Sequence, residues 1–233
     1  MSTGSAGSAT ALRNQISGRL GQVEERIERA LERAGRRRSE ITLIAVTKVF
    51  PPPVIRAAYE TGLRDFGENY VQEFEAKHPG VADLEDARFH FIGHLQSNKA
   101  RRAAALFDSI QTVDTVKLAR RLNECGRHLP VMIEVKLSPE WAKRGVEPGS
   151  LAELVTAVRA HPNLELKGLM TMPPWTDDPE GARPYFVRLR RLAEEFSLPC
   201  LSMGMSHDFE IAIEEGATHI RLGSALFGPR PER

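Results

Sequence analysis

The apolar positions of this chain fall into two kinds of run that alternate along it. Leu12, Ile16, Leu20, Val23, Ile27 and Leu31 recur at steps of four, four, three, four and four, the spacing of one helical face. Charged residues fill the opposite face, and the pattern predicts a leading helix that ends near Gly35. After it come short runs rich in β-branched and aliphatic residues, bounded by proline, glycine or polar clusters. They predict strands at 41–47, 63–66, 88–92, 107–111, 130–135, 164–169, 199–202 and 218–222. Helix-periodic stretches separate them, at about 51–62, 69–77, 97–106, 115–125, 150–160 and 180–196, with one short helix ending before Gly216. Prolines open the first of these and Gly62 closes it, and Gly126 stands where a helix end takes left-handed backbone.

Eight strands alternating with helices, after one extra leading helix, predict a (β/α)8 TIM barrel. A doubly wound open sheet shares the alternation, but no Gly-x-Gly-x-x-Gly follows the first strand. The chain shows no low-complexity linker and no repeat of fixed period. The reading is a single barrel domain over 11–230 behind a flexible, small and polar tail at 1–10.

Composition narrows the function classes. At 233 residues, 41% hydrophobic and 27% charged, the chain is an ordinary globular sequence able to bury a large core. Its net charge of +1 supplies no field that would recruit nucleic acid or an anionic membrane. The arginine clusters at 36–38, 101–102 and 120–121 read as solvated faces. Cys125 and Cys200 offer neither a disulfide framework nor metal spacing, and Cys200 is expected to pack in the core. No apolar run approaches membrane-spanning length, and the opening segment lacks the basic start and apolar middle of a signal peptide. The cytoplasm is the expected compartment.

Lys48 is the first candidate for chemistry. An amine at the exit of a buried strand is rigidly held and partly desolvated, which favours its neutral, nucleophilic form toward aldehydes. A barrel places its site at the C-terminal strand ends, often with a phosphate cup after strands seven and eight. Those two positions carry Met203-Gly-Met-Ser206-His-Asp and Gly223-Ser224-Ala-Leu-Phe-Gly228. Either they are plain tight turns, or their backbone N–H groups and the hydroxyls of Ser206 and Ser224 cradle a dianion that Gly223 lets approach closely. Closure of the barrel would set Arg221, in the last strand, beside Lys48. A lysine, an arginine and a phosphate cup suit a phosphorylated aldehyde, and pyridoxal 5′-phosphate fits: aldehyde to Lys48, phosphate to Ser206 and Ser224, ring nitrogen toward Arg221. A guanidinium does not take up the ring's proton, so the ring would be unprotonated and a weaker electron sink.

Other positions keep two readings. Asn69 either caps the helix it begins or faces the ligand's oxygen substituents. The methionines of Leu169-Met-Thr-Met-Pro-Pro-Trp175 either pack on an aromatic ring or pack within their loop. Lys136 and Lys143-Arg144-Gly145 either attract phosphate-bearing ligands or are solvated. His90 and His94 lack metal spacing and read as structural.

Taken together, these residues closely resemble the pyridoxal phosphate homeostasis proteins, which are related to the N-terminal barrel of alanine racemase. The resemblance runs from about Leu12 to Gly228. It is carried by Ala45-Val-Thr-Lys48, Asp65-Phe-Gly-Glu-Asn69-Tyr-Val-Gln-Glu73, His90-Phe-Ile-Gly-His-Leu-Gln96 with Asn98-Lys99, Gly168-Leu-Met-Thr-Met172, Leu201-Ser-Met-Gly-Met-Ser206-x-Asp208 and Arg221-Leu-Gly-Ser-Ala-Leu-Phe-Gly228. It implies that Lys48 carries the cofactor as a Schiff base, that Ser206, Gly223 and Ser224 hold phosphate, and that Arg221 faces the ring nitrogen, with Asn69 and Met203 as further candidate contacts. Threonine is common in the family where Ser224 stands, and serine keeps the hydroxyl. The family has no established turnover and is associated with keeping free pyridoxal phosphate low and delivering it to apoenzymes. Two-base racemisation needs a second acid–base group, which alanine racemase takes from a partner subunit's extra domain. The chain ends soon after its last motif, so that domain is expected to be missing and the protein to be a monomer.

Three readings compete. The leading one is a non-catalytic protein that holds and exchanges pyridoxal phosphate. A weak racemase or related enzyme is the second, and a barrel that binds another aldehyde or sugar phosphate through an aldolase-type lysine is the third.

Overall fold

A computed structural model describes residues 3–138 and 144–229. All eight predicted strands form: β1 (Thr42–Val46), β2 (Asp65–Glu68), β3 (Arg88–Phe91), β4 (Ser109–Val113), β5 (Leu129–Glu134), β6 (Leu164–Met170), β7 (Cys200–Met205) and β8 (His219–Leu222). They pair in chain order, every pair parallel, and β1 pairs with β8 to close a (β/α)8 barrel. At that seam Ile44 lies opposite Arg221 and Ala45 opposite Leu222. The last strand therefore borders the one that leads into Lys48.

The helices are α1 (Thr3–Ala34), α2 (Pro52–Glu60), α3 (Val71–Lys77), α4 (Ala100–Leu106), α5 (Val116–Asn123), α6 (Leu151–Arg159), α7 (Arg183–Glu195), α8 (Phe209–Glu214) and α9 (Ser224–Phe227). The periodic face of α1 is buried at Ile16, Val23, Ile27 and Leu31, where it packs on α2, α8 and α9. Helix α1 starts well before Leu12, so the segment expected as a tail is helical from Thr3; residues 1 and 2 lie outside the described part.

Two sequence expectations change. Arg36 does not lie on a solvated face: its Nη1 donates to the carbonyls of Ile213 and Ala217, both at 2.8 Å, satisfying the end of α8. Arg38 grips both carboxylate oxygens of Glu24. Cys200 is half-buried at the start of β7 rather than enclosed in the core.

Helix α3 is pinned by aromatic packing. Phe74 meets Phe89 at 4.7 Å and Phe107 at 4.8 Å between ring centroids, and Phe66 and Phe91 extend the cluster. Phe66, Phe74 and Phe107 are fully buried. This fixes α3 against β2 and β3, and with it the two charged side chains that α3 sends beneath the Lys48 turn.

Phe74→Ala should cost about 3–5 kcal/mol of stability, because a large buried ring is lost and a cavity remains. Urea unfolding of the variant checks this; a loss below about 1 kcal/mol would show that the cluster does not anchor α3.

Candidate functional site

Lys48 sits half-buried in the turn that follows β1. Phe50 N–H donates to Thr47 O at 3.1 Å and closes the turn, and Val49 takes φ +67°. Positive φ at a β-branched residue costs about 1–3 kcal/mol and persists only where the surroundings impose it. Beneath the turn lies a buried ion cluster. Lys77 Nζ donates to Thr47 O at 3.0 Å and to Glu68 at 2.9 and 3.1 Å, and lies 2.6 Å from Glu73 Oε1. Glu68 also accepts from Thr47 Oγ1 at 2.8 Å, and Glu73 accepts the Val49 N–H at 2.6 Å. Burial pushes the Glu68 carboxyl up, opposed by the Lys77 ammonium. Sequence reasoning missed this cluster; the spacing of Glu73 and Lys77 by four on a helix was its one visible signal.

Arg221, 3% exposed, is clamped through both terminal nitrogens. Nη1 donates to Ser202 Oγ at 2.7 Å and Nη2 to Thr171 O at 2.9 Å. Ser202 Oγ donates in turn to Gln111 Oε1 at 2.6 Å. Farther down the barrel, His90 Nε2 donates to Asp65 at 2.8 Å, its Nδ1 lies 2.7 Å from Ser109 Oγ, and Arg88 grips both Asp65 oxygens. His90 is thus a structural group of the interior. Burial lowers Arg221 to about 10, opposed by Asp208 and Glu134, and the guanidinium stays charged at neutral pH. Burial alone would raise the Asp65 carboxyl, but hydrogen bonds from Arg88 and His90 hold it well below the usual range.

At the end of β7 the strand runs on to Met205, farther than its sequence pattern indicates. Gly204 has φ +91°, and a Cβ there would strike Ala212 at 2.6 Å. Ser206 Oγ then receives two backbone donors, Gly223 N–H at 3.3 Å and Ala225 N–H at 3.2 Å. A Cβ added at Gly223 would meet Val46 at an ordinary 3.7 Å, so packing by the protein does not itself demand glycine there.

Lys48, Asn69, Ser206, Arg221, Gly223 and Ser224 all line one cavity of about 510 Å³ at the C-terminal mouth. Met203 does not. Ser202 points inward to Arg221, strand alternation sends Met203 into the hydrophobic core, and the register shift before Met205 brings Met205 into the lining instead. Asn69 caps nothing: α3 begins at Val71 with Tyr70 at its N-cap. Among the described residues, its Oδ1 is the buried side-chain atom without a hydrogen-bond partner. Gly93 makes room for the Asn69 backbone, since a Cβ there would lie 2.2 Å from Asn69 O.

The sequence also did not indicate His207, Asp208 and Trp175 as cavity residues. Trp175, 70% exposed, stacks on His207 at 4.4 Å over the mouth. Met172, from the loop whose methionines had two readings, joins the lining. A lobe of about 330 Å³ shares this wall and holds Glu134 and Arg144. Lys136 pairs with Glu147 at 2.9 Å, and Lys143 lies outside the described residues. His94 stands 3.7 Å from Asp114, away from the cavity. Among the described residues there is no cluster of three or more metal-ligating side chains, and no helix is long and apolar enough to cross a membrane.

Residues 19–231 match the family described as alanine racemase, N-terminal domain. The chain is 46% identical over 222 residues to the pyridoxal phosphate homeostasis protein of Aquifex aeolicus, covering 91% of this chain and 97% of that protein. It is 44% identical to the protein of the same name from Pseudomonas aeruginosa, over 92% of this chain and 96% of the other. The solved structure of PipY from Synechococcus elongatus, with PLP bound, is similar at a TM-score of 0.81 and 37% identity, covering 91% of this chain and all of that one.

The lobe beside the cavity gives a pH test. Burial and the neighbouring Asp114 raise Glu134 from 4.5 to about 7, against Arg221 and Arg144. Below pH 4.5 the carboxyl is protonated in both folded and unfolded chains, so the native state keeps its full stability. Between about 4.5 and about 7 the unfolded chain ionises first, and stability falls as pH rises. Glu134→Gln should remove that fall, gaining up to about 3 kcal/mol on the wild type between about pH 4.5 and about pH 8 in urea unfolding. Parallel pH profiles would show that the native carboxyl ionises freely.

Proposed function

This chain belongs to the pyridoxal phosphate homeostasis proteins of the alanine racemase N-terminal domain family, and we propose that it binds pyridoxal 5′-phosphate reversibly through a Schiff base to Lys48. The observation that carries this reading is the convergence of an amine, a clamped guanidinium and a pair of backbone donors in one cavity where β8 closes on β1. Few ligand classes call for all three.

The residues fit the group. The phosphate would be held by the hydroxyls of Ser206 and Ser224 and by the Gly223 and Ala225 N–H groups, which here both reach Ser206 Oγ, in a position where Gly223 leaves the backbone open. Arg221 would donate to the ring nitrogen. Asn69 Oδ1, buried and without a hydrogen-bond partner, would accept from the ring hydroxyl. Met172 and Met205 supply polarisable surface to the ring. When bound, the cofactor supplies an aldehyde and an electron-withdrawing ring. A guanidinium opposite the nitrogen would keep that ring unprotonated and a weaker electron sink, which suits a holder better than a catalyst.

The relatives carry names for homeostasis rather than for a reaction. We therefore read the barrel over 11–230 as one cofactor-holding domain of a monomeric cytoplasmic protein without turnover of its own. Its partners are pyridoxal 5′-phosphate and the apoenzymes that accept it.

Titration of the protein with pyridoxal 5′-phosphate should turn it yellow. Borohydride should then fix the cofactor on the Lys48 peptide, read by mass, and Lys48→Ala should abolish the trapping while phosphate still competes for the cup. A colourless mixture, or trapping at another lysine, sinks the reading.

A further inference from the structure

The two peptide units that flank Lys48 are both held by charged side chains of one helix. Lys77 Nζ takes the carbonyl of Thr47, and Glu73 Oε1 takes the N–H of Val49. Glu73 and Lys77 stand four apart on α3 and contact each other at 2.6 Å, so one ion pair grips both sides of the lysine. Among the described residues only Val49 and Ser197 are non-glycines with positive φ, and Val49 is the β-branched one. A chain left to itself would not hold valine there. The grip explains why this turn does: breaking it strands a buried ammonium or a backbone N–H.

We infer that Glu73 and Lys77 are positioning residues for Lys48, holding the strained turn so that its amine bears on the cavity before any ligand arrives. This rests on the reading that Lys48 condenses with the aldehyde of pyridoxal 5′-phosphate. Neither residue touches that cavity, so their effect passes through the turn alone. They should matter for forming the covalent bond and little for phosphate or ring contacts.

The test compares two ligands on the full chain. Pyridoxal 5′-phosphate can condense with Lys48; pyridoxamine 5′-phosphate has the same ring and phosphate but an amine in place of the aldehyde. Glu73→Ala should weaken pyridoxal 5′-phosphate binding about tenfold and pyridoxamine 5′-phosphate binding by less than about twofold. In the ligand-free protein the same change should speed exchange of the Val49 amide at least about tenfold without altering the core strands. Glu73→Gln retains an acceptor oxygen and should stay within about threefold of wild type. Val49→Gly removes the strain, so in that background Glu73→Ala should cost less than about threefold.

Equal weakening of both ligands, or an undiminished penalty in the Val49→Gly background, would overturn the positioning role, as would an unchanged Glu73→Ala protein. Borohydride trapping of the wild type is the separate control. If it fails, the reading of Lys48 has failed; if it succeeds and the variants do not separate, only the role of Glu73 and Lys77 has.

Discussion

Pairing between β1 and β8 is the constraint on which everything else rests. The residues of the site come from opposite ends of the chain, and no local preference brings them together. Lys48 follows β1, Arg221 lies in β8, and Gly223 leaves β8. An open sheet with the same alternation would put them on two distant edges. With Ile44 opposite Arg221, the closed sheet makes them neighbours and aims every strand end at one mouth. Closure also removes both sheet edges, so no strand of the barrel is left as a template for aggregation.

The closed interior is unusually polar at its centre. Arg221, Ser202, Gln111, His90, Asp65 and Ser109 occupy positions that barrels commonly fill with branched apolar side chains. Burying a guanidinium costs several kcal/mol unless its donors are matched. Here Ser202 and the Thr171 carbonyl do that, and Ser202 is itself fixed by Gln111. The result is a cation held rigidly at the floor of the cavity, with its orientation set before binding. Such preorganisation matters more than the charge alone, because a mobile arginine would have to be ordered at the moment of ligand contact.

Much of this was legible in the sequence, and the reasons for the exceptions are physical. Strand and helix periods differ, so alternation and order could be read from apolar spacing, and six of the seven candidate residues do meet in one cavity. Met203 lies outside the lining because it directly follows inward-pointing Ser202 and side chains alternate along a strand, whereas the register shift between Ser202 and Met205 turns Met205 to the mouth, and apolar spacing carries no sign of that shift. Arg36 failed because its partners are carbonyls at the end of a helix far along the chain, and spacing carries no trace of them. The cluster of Glu68, Glu73 and Lys77 was hidden by the rule that charged side chains lie outside. Glu68 is fully buried, and only tertiary packing of α3, driven by Phe74 and its aromatic neighbours, makes that tolerable.

If Lys48 condenses with the cofactor as proposed, these elements would let one site hold it firmly yet reversibly. Condensation with an amine is more favourable when the amine needs no further ordering, and the turn at Lys48 is already held by α3. The proposed phosphate donors, by contrast, lie at the ends of β7 and β8 on the mouth, where Trp175 is the most exposed large apolar side chain among the described residues. A phosphate held there would be more accessible to water than the barrel floor. The rigid part of the site lies inside and the accessible part outside, which is the division a protein needs if its ligand is to bond to it and still leave. A fully enclosed cup would slow release, and a loose lysine would lower occupancy; under the proposed reading this fold would avoid both by separating the two tasks between α3 and the ends of β7 and β8.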